Sequence, residues 1–265
     1  MFERILLFGY GTMASAMLHG WLASGLQPGL FTVYNPRPKP VPNGVSFTSE
    51  LPDTPFDAVV LGVKPQKLAE IAQEVGPLVG PHTAVISMLA AVDINALANR
   101  FPNAGGIVRL MPNLAVAIGQ SPNALVGRGL TDKQHSALTD LAARLGSAEW
   151  LDDEAQFDLI TALTGSGPGF VYRFIDALAG GAAELGMDRT QAERLARQMV
   201  AGAAALAAQS PHSPGELAER VASPGGTTQK GLDVLDAGGS LQDLVTRCLK
   251  ATRDRERELA CTLTD

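Results

Sequence analysis

Near the end of the 265-residue sequence, Ser223-Pro224-Gly225-Gly226-Thr227-Thr228 puts a proline, two adjacent glycines and three hydroxyls into six positions of a stretch otherwise helical in pattern. Glycines lack side chains, so successive backbone N–H groups can converge there on an anion. Ser223 can cap a helix that starts after Pro224, and Thr227 and Thr228 add hydroxyl donors. A carboxylate suits such a pocket better than a bulky group. A capped helix with no ligand would need similar residues, so this reading asks for a partner motif. One stands at the other end of the chain. Gly9, Gly11 and Ala14 form G-x-G-x-x-A directly after the apolar run Arg4–Phe8 and at the start of a helical stripe. Gly9 can make the tight turn and Gly11 lets backbone approach a pyrophosphate. Ala14 keeps the helix near the sheet, and Thr12 and Met13 open a helix whose N-terminus faces the anion.

The second apolar run ends at Tyr34-Asn35, where an NAD site usually carries an acid for the ribose 2′-hydroxyl. Asn35 removes that charge, and Arg37 can grip a 2′-phosphate bidentately, with Lys39 nearby. NADPH is therefore expected as the cofactor, with NADH serving less well. "GVKPQ" (Gly62–Gln66) ends a third run. Ligands of doubly wound sheets bind beyond the carboxyl ends of strands, which puts Val63, Lys64 and Pro65 beside the cofactor. "RLMPN" (Arg109–Asn113) points to the nicotinamide end in the same way, through Asn113. "TGSGPG" (Thr164–Gly169) opens another helix, and its glycines serve close helix packing equally well. His19, His82, His135 and His212 are scattered without ligand spacing, so no metal is expected. No GxSxG elbow or Cys/His nucleophile pair occurs. Hydride transfer to an already protonated imine fits this lack of an acid–base residue, because positioning and electrostatics suffice.

These motifs need elements to carry them. In the first half short apolar runs alternate with helical stripes: Arg4–Phe8, Leu30–Tyr34, Asp57–Val63, Thr83–Ser87 and Gly106–Met111 as strands, with helices after Gly11, after Lys64-Pro65 and over Ile94–Phe101. Such alternation implies a parallel sheet with right-handed crossovers. From about Asp153 the pattern is helical only, with Phe170, Phe174, Leu178, Ala182 and Leu185 near four-residue spacing. The expected fold is α/β: an N-terminal Rossmann-like doubly wound parallel sheet over residues 1–152, then an all-α domain over 153–265. With 46% hydrophobic residues and 18% charged, the chain can bury a sizeable core. Its net charge of −6 argues against nucleic acid as a partner. No window is apolar enough for a membrane span and no signal-peptide pattern opens the chain. Cys248 and Cys261, on one helix, would lie roughly 20 Å apart. A reduced, cytoplasmic enzyme acting on a small molecule is the expectation.

The motifs together resemble the pyrroline-5-carboxylate reductase family over nearly the whole chain. The resemblance rests on "GYGTMA", "GVKPQ", "ISMLAAV" (Ile86–Val92), "VRLMPN", "ALTGSGPGFVY" (Ala162–Tyr172) and above all "VASPGGTTQKGLDVLD" (Val221–Asp236). It implies NADPH-dependent reduction of L-1-pyrroline-5-carboxylate to L-proline. It implies a helical dimerisation and substrate domain, an active site between the domains completed at the dimer interface, and homodimers that in some members build rings. The substrate carboxylate would meet Ser223 and the backbone of Gly225, Gly226 and Thr227, and Thr228 would hydrogen-bond the ring nitrogen, with Lys64 the second candidate catalytic group. Ala90 and Ala91 would lie near the cofactor. The chain departs from the family pattern at three places: Gly169-Phe170 replaces Ala-Tyr, Ala90-Ala91 replaces Ala-Gly, and Tyr10 sits between the first glycines. Two other functions stay open. A reductase of another cyclic imino acid, or a 2-oxo or 3-hydroxy acid dehydrogenase, would share the cofactor motif, although a 3-hydroxyacid dehydrogenase would want a helical-domain lysine and Thr164–Ala208 has none. A non-catalytic NADPH-binding protein would show no substrate-dependent NADPH oxidation.

Overall fold

The computed structural model describes residues 2–263. The first and last two residues of the sequence-derived domain ranges lie outside the described residues. Residues up to Gly165, with the chain from Thr252 onward, form one compact unit, and Ser166–Ala251 form a second.

The first unit is built on an eight-stranded sheet. Its strands are β1 (Ile5–Phe8), β2 (Phe31–Tyr34), β3 (Ser46–Thr48), β4 (Ala58–Leu61), β5 (Ala84–Ser87), β6 (Gly106–Met111), β7 (Ser121–Arg128) and β8 (Gly146–Trp150), in the order β3-β2-β1-β4-β5-β6-β7-β8. The helices are α1 (Thr12–Ala23), α2 (Leu68–Val75), α3 (Ile94–Arg100), α4 (Asp132–Ala143) and the short α5 (Phe157–Ile160), which runs into a π-helical turn at Thr161–Gly165. Every residue of β1, β4, β5 and β6 is buried, as expected of strands covered on both faces. Successive side chains point to opposite faces, so Ile5, Leu7, Val60 and Ile86 join α1 and α4 in one core, while Leu6, Phe8, Val59 and Val85 join α2 and α3 in another. Trp21 anchors the first core. It is fully buried, stacks on Phe31 at 5.4 Å, and donates Nε1–H to the Leu141 carbonyl of α4 at 2.9 Å.

Two strands depart from the expected all-parallel sheet: β7 runs antiparallel to β6, and β8 follows β7 in parallel. The connection, residues 112–120 with a 3₁₀ turn at Leu114–Ile118, is too short for a crossover, which takes a dozen or more residues. The strands β3, β7 and β8 and the helix α4 carry weak sequence signals. β3 has three residues. β7 holds Pro122 and Asn123, and β8 alternates between exposed and half-buried positions.

The second unit contains α6 (Gly167–Glu184), α7 (Arg189–Gln209), α8 (Pro214–Val221), α9 (Thr227–Asp236) and the first half of α10 (Ser240–Leu263). Asp188 caps α7 by accepting from the Gln191 N–H, and Ser213 and Glu216 form a reciprocal capping box on α8. Its buried core is small: Ala179 of α6 against Ala192 and Ala196 of α7. Many large apolar side chains stay exposed, among them Tyr172, Leu185, Leu206, Val221 and Val234. An apolar surface of that kind marks an interaction site. No helix among the described residues is long and apolar enough to cross a membrane.

Trp21→Phe should lower unfolding free energy by about 2 kcal/mol, because a buried carbonyl loses its donor and a small cavity opens. A denaturant titration against the wild type checks it, and an unchanged midpoint would refute the anchoring role.

Candidate active site

The chain turns at Gly9 directly after β1. Gly9 has φ +89°, and a Cβ there would lie 2.6 Å from Val63 Cγ1 and 2.8 Å from the Gly62 carbonyl oxygen. A Cβ on Gly62 would come within 2.6 Å of the Gly9 carbonyl oxygen and 3.0 Å of Ala14 Cβ. The ends of β1 and β4 thus approach more closely than side chains allow. Beyond them Gly11, Thr12, Met13, Ala14, Val63 and Lys64 surround a cavity of about 330 Å³. Gly11 is the N-cap of α1 and no side chain caps that end, so the first N–H groups of the helix are available to an anion. Gly62, Met88, Met111 and Pro112 also line the cavity and were not singled out from the sequence. Gly62 was legible in "GVKPQ"; Met88 had no chemical signal.

Asn35 and Lys39 shape this turn from the β2 side. Asn35 Oδ1 accepts from the Tyr10 N–H at 3.3 Å, and its Nδ2 donates to the Arg37 carbonyl at 2.6 Å. Lys39 Nζ donates to the Tyr10 carbonyl at 2.6 Å. Arg37 itself is exposed. Tyr10 turns its ring into the core, so its bulk between the two glycines leaves the turn open.

The remaining predicted residues lie elsewhere in the same unit. Pro65 and Ala91 line a neighbouring cavity of about 370 Å³. Ala90 is exposed. Asn113 is buried, accepts from the Ala115 N–H at 2.8 Å and donates to the Thr164 carbonyl at 2.9 Å, so its side chain is occupied by the backbone.

That second cavity adjoins a cluster of charges the sequence did not suggest beyond an arginine inside an apolar strand. Arg109 is buried, donates to Glu154 at 2.7 Å and lies 3.9 Å over the Phe157 ring. Glu154 also accepts from the Ile94 N–H at 2.9 Å. Glu256 of α10 is buried beside them. Burial, then the Asp158 carboxylate, push its carboxyl above the usual range, while the Ala91 N–H, Arg109 and the Thr161 hydroxyl pull it down. Among the described residues no three metal-ligating side chains gather.

In the second unit, Ser223–Gly226 forms a tight turn closed by the Gly226 N–H donating to the Ser223 carbonyl at 2.8 Å. Gly225 has φ +72°, the third-position geometry of a Pro-Gly type II turn. α9 begins at Thr227, its N-cap is Gly226, and no side chain caps it. Ser223 is therefore not the helix cap expected from the sequence. The two glycines delay the helix by a full turn and leave its first N–H groups uncapped. Ser223, Gly225, Thr227 and Thr228 are all exposed.

Residues 154–259 match the model of the pyrroline-5-carboxylate reductase dimerisation region. Over the full length, the chain is 31% identical to a pyrroline-5-carboxylate reductase of Pseudomonas aeruginosa, covering 97% of each sequence. A solved pyrroline-5-carboxylate reductase from Coxiella burnetii matches with a TM-score of 0.88 at 29% identity, covering 97% of this chain and 98% of that one. The Plasmodium falciparum enzyme, solved with NADP bound, shares the fold with a TM-score of 0.82 at 22% identity over 97% and 98% of the two chains.

Gly62→Ala should weaken dinucleotide binding by about tenfold or more, since its Cβ must displace backbone rather than a flexible side chain. Fluorescence titration with reduced cofactor measures it. Unchanged affinity with an intact fold would show that the close approach is dispensable.

Proposed function

The chain belongs to the pyrroline-5-carboxylate reductase family, and we propose that it performs the family's reaction with the residues assembled above. It is an NADPH-dependent oxidoreductase that reduces L-1-pyrroline-5-carboxylate to L-proline, the last step of proline biosynthesis. We assign cofactor binding to a domain of residues 1–152 and substrate binding and dimerisation to residues 153–265.

The glycine cradle fits the cofactor, because a Cβ at Gly9 or Gly62 would fill the space a pyrophosphate needs. The N–H groups at Gly11, Thr12, Met13 and Ala14 hold the pyrophosphate. Asn35 fixes the loop that carries Arg37, and Arg37 pairs with the 2′-phosphate. Val63, Lys64 and Pro65, with Ala90, Ala91 and Asn113, border the nicotinamide end, and Lys64 adds positive charge there. NADPH supplies the hydride. The observation that carries the substrate assignment is the Ser223–Gly226 turn with its left-handed Gly225 and the uncapped start of α9. Ser223 and the N–H groups of Gly225, Gly226 and Thr227 hold the substrate carboxylate. The Thr228 hydroxyl accepts from the protonated ring nitrogen and orients the imine carbon. The nitrogen already carries its proton, so hydride addition alone completes the amine and no protein acid is required.

The helical unit carries the family's dimerisation region, and the chain forms a homo-oligomer. We assign its exposed apolar side chains to a homodimer interface through the C-terminal helices; a mass measurement separates a dimer from a ring. The cytoplasm is the assigned compartment, where Cys248 and Cys261 stay reduced.

Absorbance at 340 nm with pyrroline-5-carboxylate and either NADPH or NADH tests the reaction. Substrate-dependent oxidation yielding proline, faster with NADPH, is expected; cofactor binding without oxidation would discard the substrate. Thr228→Ala should lower kcat/KM about ten- to a hundredfold, roughly 1–3 kcal/mol, and wild-type kinetics in a folded variant would remove its role. Arg37→Ala should raise the KM for NADPH about tenfold and leave that for NADH unchanged. An unaltered ratio of the two would exclude Arg37 from the 2′-phosphate.

A further inference from the structure

Thr164–Gly169 ("TGSGPG") lies outside both glycine turns. It spans the end of the π-helical turn Thr161–Gly165 and the start of α6 at Gly167. Such turns are rare and occur frequently at functional sites. In a continuous α-helix the Thr164 carbonyl would accept from the N–H four residues on. That residue is Pro168, which has none. The Gly169 N–H, five residues on, donates to the Ser166 carbonyl at 2.9 Å instead. The Thr164 carbonyl therefore needs a donor from outside its own helix.

Asn113 supplies it from 51 residues away, within the first unit: its Nδ2 donates to the Thr164 carbonyl at 2.9 Å. Asn113 is 6% exposed, and its other polar atoms are engaged as well. Oδ1 accepts from the Ala115 N–H at 2.8 Å, the backbone N–H donates to Ser121 Oγ at 2.9 Å, and the carbonyl accepts from the Val116 N–H at 3.1 Å. The Ala115 N–H can only donate and the Thr164 carbonyl can only accept, so the position needs an acceptor and a donor at fixed places. An asparagine amide offers both, and an ionised aspartate of the same shape lacks the donor. Met111 and Pro112, directly before Asn113, line the cavity at the start of α1. A Cβ on Gly165 would lie 3.6 Å from Met111 Sδ, so the turn that Asn113 holds also packs against this wall. Met111 shares a buried cluster with Phe157, at the start of the helix that leads into the turn.

We propose that Asn113 is a positioning residue for the cofactor site: by giving the Thr164 carbonyl the donor that Pro168 withholds, it locks the π-helical turn to the Met111–Pro112 wall. Its amide is spent on the backbone, so it acts on the cofactor through that wall and not by touching it. The part concerning the cofactor rests on the binding reading given above, whereas the tie between Asn113 and the turn does not.

Four proteins test it: the wild type and Asn113→Ser, each with and without Pro168→Ala. Serine keeps an oxygen to cap the Ala115 N–H and is too short to reach Thr164, whereas Pro168→Ala restores an N–H four residues after Thr164. Amide hydrogen exchange over residues 161–166 without cofactor reads the turn. Asn113→Ser should speed it about tenfold or more, the scale of a buried group left unpaired. Adding Pro168→Ala should bring it back to within about threefold of the wild type. NADPH affinity, titrated by fluorescence, should fall about tenfold in Asn113→Ser and recover with the same second substitution. If Asn113→Ser does not fold, Asn113→Thr, a capping residue suited to the extended backbone there (φ −127°, ψ 176°), is compared in the same two backgrounds with the same dependence on residue 168 expected. Unchanged exchange in Asn113→Ser, or equal loss with and without Pro168→Ala, would overturn the proposal. An affinity loss that persists after the turn regains its protection would make Asn113 a direct cofactor contact and overturn the positioning role. Faster exchange in a protein that binds no NADPH in any form would keep the tie and refute the cofactor reading instead.

Discussion

The backbone approach of Gly9 to Gly62 is the constraint on which the cavity at the start of α1 depends. β1 and β4 are neighbours at the centre of the sheet, and the strand order runs outward from them in both directions. At such a switch point the connections leave toward opposite faces, and a crevice opens beyond the strand ends. Two residues without side chains let the two strand ends close on each other. Everything around the crevice follows from that closure: α1 starts close to the sheet, Ala14 packs beneath it, and the first N–H groups of α1 face open space. The Asn35 and Lys39 contacts to the Tyr10 backbone then hold the turn from its far side.

The two units handle apolar surface in opposite ways. In the first, the sheet is covered on both faces and the large side chains of each strand are divided between two cores. In the second, the buried cluster among the described residues is three alanines between α6 and α7, while leucines, valines and aromatics face outward. Burial of apolar area at about 25 cal/mol per Å² is the main source of stability, so so small an internal core leaves this unit dependent on association. Association is accordingly part of how the helical unit reaches its stable form.

Polar groups inside the first unit serve position more than stability. Arg109 and Glu154 tie β6 to the start of α3, and Arg257 ties α10 to Asp158. Buried charge pairs gain little net energy because desolvation offsets their attraction. Their geometric demands are strict, which fixes how β6, α3 and α5 meet.

The local chemistry of this protein was determined by its sequence. Short continuous apolar runs located five strands and 3.6-period stripes the helices between them, because each burial pattern lies within one element. Glycine spacing at Gly9–Ala14 and at Gly225-Gly226 marked the two turns, because few residues other than glycine accept the positive φ of Gly9 and Gly225. What tertiary structure alone decided involves residues far apart in the chain. The reversal of β7 comes from a short connection, and β3 and β8 are strands because an edge was there to pair with. Ser223 lost its capping role to Gly226 because the Ser223–Gly226 turn comes before the helix begins, which moves the cap three residues along. The ion pair of Arg257 with Asp158 joins positions 99 residues apart, and no periodicity or motif records a contact that only the docking of α10 creates.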